Sequence, residues 1–552
     1  MTPPEKPQPP AAVTDARAMG RATLLFGFFR YRRIDGRVRV RPVWSRFFVG
    51  FAVLCVAGWL ALATAAWWFV TQRRGVPDVS FFDIALPYRW DEYQRKRGAD
   101  YLARARAAQE RGEYREAYQL YRVGLTKAPG DLDGRVRLAG LLVAFGRPDM
   151  AADTLDAGLP WAGTDVSYLG NLVQLLLARQ EDERLLDLVD RLAPDAVAGS
   201  ERARLLGIAA ATAHFFRGDH PAMSAALRRS GLADTAEGRL LEIRAQWERG
   251  LTNSALLELR RLIEQAPLHE EAHALLVSFL SELGRPQEAV SAAVGRTVAF
   301  PESDAARVGL LSALQAAGAT ERVARETDRL LAGVATRPGA ISGLAEFAIE
   351  TGDVALADRI EALAATSAVS VQIGALVSVE TRLAAGDYEA ALARLEALLA
   401  APPEWAAHQT GTLAGLHAVA LFGVGRNDAG ELRLSEFLAQ PGLHAQNRVA
   451  IARRLRHAGA VAAARRVLTP AAVSRLDHAV LVAAIELDLD TGTHTRLLPD
   501  LERLLAMRRP PTAFLHRAVA AVESDRFLFS PARDAVLARL EELLAGRPAE
   551  AR

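Results

Sequence analysis

Gly386-Asp387-Tyr388-Glu389-Ala390-Ala391, followed by Leu392, Leu395, Leu398 and Leu399 and closed by Pro403, is the stretch from which the fold of this chain can be read. The glycine lets the backbone leave one helix through a left-handed conformation that costs other residues energy. The leucines recur at helical spacing and mark one apolar face. Ala391, five residues past the glycine, is small where two helices approach most closely. Proline then blocks continuation of the second helix. The stretch predicts two helices joined by a tight turn.

The same marks recur along the chain. Glycines stand at 112, 146, 250, 284, 318, 352, 386, 425 and 459, and six of the eight gaps between them are 34 residues. Alanine follows five residues later at Ala117, Ala151, Ala255, Ala289, Ala357 and Ala464, and proline closes units at Pro129, Pro267 and Pro301. A fixed period of this length indicates a stacked array of helical hairpins, which lengthens without thickening because each unit packs on its neighbours. Two positions depart from the ladder: Gln180 stands where glycine is due, and Gly218 is two residues out of register.

Gly112-Glu113-Tyr114-Arg115-Glu116-Ala117 with Tyr121, Gly124 and Pro129 resembles the second half of a tetratricopeptide repeat, G-x-Y-x-x-A followed by an aromatic, a small residue and proline. The resemblance covers residues 98 to about 508, with a helical end from Pro511 to Leu544. It implies an all-α, right-handed superhelical solenoid of hairpins. The family's tryptophan near each unit's start is missing, Tyr101 being its one aromatic substitute, and the units around 166–235 are expected to be distorted. In this family the first helices line a concave groove that holds a protein or peptide. Carried onto this chain, the groove positions are Arg106, Gln109, Glu110, Arg244, Trp247, Glu248, Glu282, Glu346 and Glu380. Trp247 stands out, because a large ring at such a position can anchor a partner's side chain or tuck under the neighbouring hairpin.

Charge and composition limit the alternatives. The chain has 67 basic and 65 acidic residues, a balance that gives no reason to expect nucleic acid as a partner. Basic charge concentrates in residues 1–46, with ten basic groups against three acids. Cys55 is the only cysteine, which excludes an intrachain disulfide and Cys-rich zinc sites.

From Phe47 to Val70 the chain runs through 24 uncharged, mostly apolar residues. At ~1.5 Å per residue they reach roughly 36 Å, enough to cross a hydrocarbon core of about 30 Å. Ala61-Leu62-Ala63 offers a processing site for a cleaved signal, but 46 residues precede the apolar run and its bulkiest aromatics follow that site. A retained anchor is the better reading. Seven arginines between Arg30 and Arg46 against Arg73, Arg74 and Arg89 beyond place the N-terminus in the cytoplasm of a bacterial cell and the repeats outside its inner membrane.

The expected organisation is a basic, largely disordered tail (1–46), a membrane helix (47–71), a linker (72–97), N-terminal repeats (98–235), central repeats (236–410), and C-terminal repeats with capping helices (411–552). At ~3.3 Å per residue such a linker would let the array range up to roughly 90 Å from the bilayer. The chemistry expected is that of a scaffold in envelope assembly, export or protein quality control, with no catalytic residue, cofactor or metal. One motif stands against this. His269-Glu270-Glu271-Ala272-His273 matches H-E-x-x-H, the pattern of a zinc-dependent hydrolase. It opens a repeat helix directly after Pro267, lacks a recognisable third ligand, and reads more simply as a solvated helix start. A passive spacer is the remaining alternative. Oligomeric state is not legible.

Overall fold

The structure is a computed structural model that describes residues 23–24, 29–34 and 37–545, apart from 77, 196, 198, 334–338, 367–370, 441–442, 470–476 and 494–495. The chain divides into two compact units, residues 1–138 and 139–552.

The first unit begins with three antiparallel strands in the order β1-β2-β3: β1 (Thr23–Leu24), β2 (Phe29–Ile34) and β3 (Arg37–Pro42). The expected disordered tail is therefore corrected over this stretch; the proline-rich start, residues 1–10, lies outside the described residues. Arg37-Val38-Arg39-Val40-Arg41 alternates with the period of a strand. Ile34 pairs with Arg37 in the antiparallel register of the two strands. The density of arginine hides this alternation in a composition reading. Among the described residues every other regular element is helical.

Helix α1 (Trp44–Trp68) runs on through a wide π-type turn at Phe69–Arg73. The span Trp44–Arg73 is long and apolar enough to cross a membrane, with a mean hydropathy of 2.2 over its most apolar 18 residues. The chain then reverses at Gly75, whose φ of +67° is left-handed, and returns along the same helix. Trp67 Nε1 donates to the Val79 carbonyl at 3.0 Å and Trp59 Nε1 to the Ala85 carbonyl at 2.7 Å. Trp59, Ala63, Trp67 and Val70 fall on one face of α1, and Val76, Val79, Ile84 and Ala85 cluster with that face. Helix α2 (Phe81–Ala85) forms part of this return and starts with a capping box between Ser80 and Asp83. Asp83 is fully buried; Lys96 Nζ donates to it at 2.7 Å and Arg89 lies 3.2 Å away. Within the stretch expected as a linker, residues 72–97, the chain packs as a collar on the apolar helix. The physical cause is that two indole N–H groups in apolar surroundings need acceptors, and the returning backbone supplies them.

Helix α3 (Trp90–Glu110) and helix α4 (Tyr114–Lys127) form the first hairpin. They touch at Gly98, where an added Cβ would stand 2.5 Å from Ala128 Cβ and 2.9 Å from the Gly124 carbonyl. The helix Leu132–Ala144 then carries the chain across the boundary between the units.

The second unit repeats one joint. At Gly386 (φ +79°) the Asp387 N–H reaches back to the Arg382 carbonyl at 2.9 Å, the bond that closes a Schellman turn. The alanines five residues past the turns, Ala151, Ala255, Ala289, Ala357, Ala391 and Ala464, are wholly buried. The two departures from the ladder are accommodated. Gln180 takes the left-handed conformation itself (φ 59°), and Glu181 N–H closes on the Leu176 carbonyl at 2.9 Å. Helices Val166–Ala178 and Asp182–Leu192 therefore pair as elsewhere, with Leu185 buried at the alanine position. In the next hairpin, Glu201–Phe216 with His220–Arg229, Met223 takes that place. The last hairpin joins Thr512–Val522 to Arg533–Ala545.

Acid–arginine pairs bridge one unit to the next at close to the repeat distance: Arg184 with Asp153 (2.8 Å), Arg217 with Glu183 (3.3 Å), Arg359 with Asp328 (2.6 Å) and Arg456 with Asp490 (2.5 Å). Such half-exposed pairs contribute roughly 0–1 kcal/mol each, so they favour register more than stability.

Candidate functional site

The candidate groove residues share a position within their units. Measured from the turn glycine, Arg106, Arg244, Glu346 and Glu380 stand six residues before it, Gln109 and Trp247 three before it, and Glu110, Glu248 and Glu282 two before it. Offsets of three and four residues place them on one face of each first helix. Where that face points is decided by the stacking of the repeats; the structure gives most of these residues a definite partner and leaves Glu110 and Glu346 exposed.

In the first unit, Arg106 reaches Asp133, its Nη2 2.9 Å from the carboxylate. Gln109 accepts a hydrogen bond from the buried Tyr121 hydroxyl at 2.9 Å, and so serves packing. Glu110 is exposed.

In the second unit, helices Ala236–Glu248 and Glu270–Glu282 bring the predicted Arg244, Trp247 and Glu282 together with Glu271, Ser278 and Phe279. The Trp247 ring stacks on Phe279, centroids 3.7 Å apart and planes at 3°, and its Nε1 donates to Glu282 Oε2 at 3.0 Å. Ser278 Oγ donates to the other Glu282 oxygen at 3.0 Å, and Arg244 pairs with Glu271 at 3.0 Å. Trp247 is thus tucked against the next hairpin with one face half-buried. The result is a prearranged, half-buried Trp247 ring, seated on the buried Phe279 and flanked by one cation and two carboxylates. Glu346 is exposed on its helix, Ala340–Thr351. Glu380 instead receives Arg454, a residue 74 positions on, which links the first helices Val371–Ala384 and Ala445–His457 across the intervening unit.

Glu248 has a different partner altogether. The loop Arg508-Arg509-Pro510-Pro511, near the far end of the array, reaches back to this region. Arg508 clamps Asp182 in bidentate fashion, Nε to Oδ2 at 2.7 Å and Nη2 to Oδ1 at 2.6 Å. It also donates to the Leu177 carbonyl at 2.9 Å, and its guanidinium lies 4.1 Å from the centre of the Phe216 ring. Arg509, 3% exposed, lies 3.4 Å from Glu248 Oε2 and donates to the Glu248 carbonyl at 3.1 Å. Its backbone N–H meets the Phe216 carbonyl at 2.6 Å. Arg508 and Asp182 are 326 positions apart, which at 34 residues per unit is roughly nine to ten hairpins. Within this unit the array therefore returns to its own beginning and latches there.

The latch is largely buried and charged. Burial pushes the Glu248 carboxyl up, against the opposing pull of Arg509 and Arg244. Burial also lowers Arg509, with Glu248 opposing it. His220, 3.6 Å from Glu248, is held down to about 4, by burial first and then by Arg509 and Arg249. Sequence reading missed this site because its halves lie hundreds of positions apart. The one local signal is a pair of arginines followed by two prolines outside the ladder.

The zinc-like motif is taken apart by its surroundings. His269 caps the helix Glu270–Glu282 through a bond from the Ala272 N–H at 3.3 Å. Glu270 accepts from Arg296, in the second helix of its own hairpin, at 2.9 Å and from Ser303 Oγ, at the start of the next hairpin, at 2.6 Å. His273 Nε2 is 3.0 Å from the Pro267 carbonyl, with its ring edge-on to Phe300. These are the uses of a helix start. Arg260, Arg454, Arg465 and Arg466 on the repeat helices pair with Glu288, Glu380, Asp488 and Glu431.

A tetratricopeptide repeat family model matches residues 108–176. Similar solved structures include yeast Tom70 (11% identity, 80% of this chain and 98% of that one, TM-score 0.31). A tetratricopeptide repeat protein from Parabacteroides merdae shares 11% identity over 62% of this chain and 100% of its own, with a TM-score of 0.25. The APC/C Cut9–Hcn1 hetero-tetramer shares 13% over 80% and 96%, with a TM-score of 0.22. Scores this low carry no functional argument. A search of curated proteins finds no match.

Proposed function

We propose that this chain is a membrane-anchored scaffold that holds protein partners on the first-helix face of its hairpin array. The observation that carries the reading is the set of Arg244, Trp247 and Glu282, pre-arranged on consecutive first helices over the buried Phe279, with Glu346 exposed further along. Alternating charge beside an aromatic surface suits an extended or helical peptide, gripped by a few anchors and clamps. The tetratricopeptide match over residues 108–176 supports a binding role of this kind.

The anchor would be α1, with the arginine-rich N-terminal flank in the cytoplasm and the repeats at the extracytoplasmic face of a bacterial inner membrane. Envelope assembly, export and protein quality control are the processes such a scaffold would serve. Because the collar packs directly on α1, the first hairpin would stand close to the bilayer, and the tether would concentrate partners of the chain at the membrane. The test is photocrosslinking in intact cells from a reactive residue at Glu346, with a control on a second helix at Arg261. A discrete adduct from Glu346 and none from Arg261 is expected. Equal adducts from both, or none from either, would leave a passive spacer as the better description.

A further inference from the structure

The collar around α1 contains a cavity that the scaffold reading does not use. It has a volume of ≈ 330 Å³ and lies where the chain leaves the apolar span, lined by Arg73, Arg74, Arg97, Asp100, Tyr101 and Arg104. Four guanidiniums thus face one carboxylate. Arg97, Tyr101 and Arg104 follow one another at helical spacing on α3, and Arg73 and Arg74 close the turn that ends α1. The wall is built rather than incidental. Arg104 Nη2 donates to the Arg74 carbonyl at 2.7 Å, and its Nε lies 3.1 Å from Asp100, which fixes the two elements together. Arg97 is steadied over the Tyr93 ring, 5.5 Å from its centre, and Arg74 over Phe69 at the same distance. Among the described residues, arginines on the repeats commonly have a carboxylate in reach, whereas Arg73, Arg74 and Arg97 show none.

Apolar neighbours lie alongside. Trp68 and Phe69 on α1 are exposed, as are Phe82, Tyr88 and Trp90 on the collar. Aromatic side chains of this kind favour the headgroup zone of a bilayer. A cluster of guanidiniums about one helical turn beyond the exposed Trp68 and Phe69 is complementary to phosphate, which it can grip with several charge-assisted hydrogen bonds.

We infer that this cavity binds the phosphate of an anionic phospholipid headgroup in the leaflet from which the repeats emerge. The inference rests on the reading of α1 as a membrane anchor. The bound lipid would fix the collar, and with it the first hairpin, at the membrane surface. A free phosphate ion offers the same chemistry, and the experiment separates the two sources.

The full chain, purified in neutral detergent, is titrated with phosphatidylglycerol, phosphatidylcholine or inorganic phosphate, and retained ligand is counted by native mass spectrometry. The wild type is expected to retain phosphatidylglycerol at least roughly tenfold better than phosphatidylcholine, from the several ionic contacts available. Arg73→Gln with Arg97→Gln should lose that preference while keeping the helical circular dichroism of the parent. Arg104→Gln, which also cuts the tie to Arg74, should lose it as well. Equal retention of both lipids by the wild type, or an unchanged preference in the Arg73/Arg97 variant, would overturn the inference. Displacement of the lipid by equimolar inorganic phosphate would assign the site to the free ion instead and overturn it too. Vesicle flotation of the same preparations tests the anchor separately: loss of flotation refutes the anchor, whereas the lipid preference in micelles reports on the cavity alone.

Discussion

Replacing Arg508 by alanine should open the array. The side chain is the hub of the latch, making two hydrogen bonds to Asp182, one to the Leu177 carbonyl and a stacked contact with Phe216. Arg508 and Asp182 are 12% and 6% exposed, so alanine leaves a buried carboxylate without its counter-charge. Removing one partner of a buried pair costs about 3–5 kcal/mol. Taking about 3 kcal/mol, the population of the opened form rises by more than about a hundredfold. Little of this should appear in the cores of the central hairpins, because an array of this kind is stabilised mainly between neighbours. The assay is amide hydrogen exchange resolved by peptide, with small-angle scattering on the same sample. Exchange should accelerate in peptides covering Leu176–Leu185 and Leu497–Val522, stay unchanged around Leu256–Leu280, and accompany an increase in radius of gyration. Asp182→Asn should do the same, and the double variant should cost less than the two single losses added together. Parental exchange in both termini of the latch, with no change in scattering, would refute the argument.

Other outcomes follow from single positions. Gln180→Gly relieves a left-handed side-chain-bearing residue and should stabilise its hairpin by up to about 1 kcal/mol, read as slower exchange there; destabilisation would contradict the strain argument. Gly98→Val forces a side chain into Ala128 and should cost about 1–3 kcal/mol, read as a lower melting midpoint of the first hairpin, with an unchanged midpoint the contrary result. His220 titrates near 4 in the folded chain against 6.5 ordinarily, so the unfolded chain binds the extra proton between those values. The stability of the second unit should therefore fall as pH drops from about 6.5 to 4, by up to about 3 kcal/mol from this group, and His220→Asn should flatten that slope. Asp83 sits at about 2: burial alone would raise it, but hydrogen bonds from Lys96 and Ser80 prevail. Its contribution is complete above the ordinary carboxylate range and is lost as pH falls through about 2, so Asp83→Asn should weaken the collar at pH 7 and leave it nearly unchanged at pH 2.

What could be read from sequence was whatever repeats or lies close in the chain. The ladder of glycines and buried alanines fixed the hairpin joints, because a left-handed exit and a close helix approach each restrict residue choice. Even Gln180, out of pattern as a residue, kept the backbone geometry that the period required. The strands went unread because Arg37–Arg41 looks like a charge run before it looks like an alternation. The collar went unread because the needs of Trp59 and Trp67 are met by backbone carbonyls, which no residue type advertises. At the candidate site, periodicity placed Trp247 and Glu282 on neighbouring helices but could not show that they bond to each other. Glu248 and Glu380 were placed on the same helix face, while their partners Arg509 and Arg454 depend on how far the array curves. Curvature is a sum of small rotations between units, and a single sequence does not encode it in any local pattern.

The scaffold reading meets its most direct test in affinity isolation of the tagged full chain from detergent-solubilised membranes, quantified against two charge reversals. Glu346→Arg alters the first-helix face, and Arg261→Glu alters a second helix at an equally exposed site. The account predicts at least one protein recovered with the wild type and with Arg261→Glu but depleted about tenfold or more with Glu346→Arg, as reversal of a clamp charge would require. Identical recoveries from all three chains would contradict it.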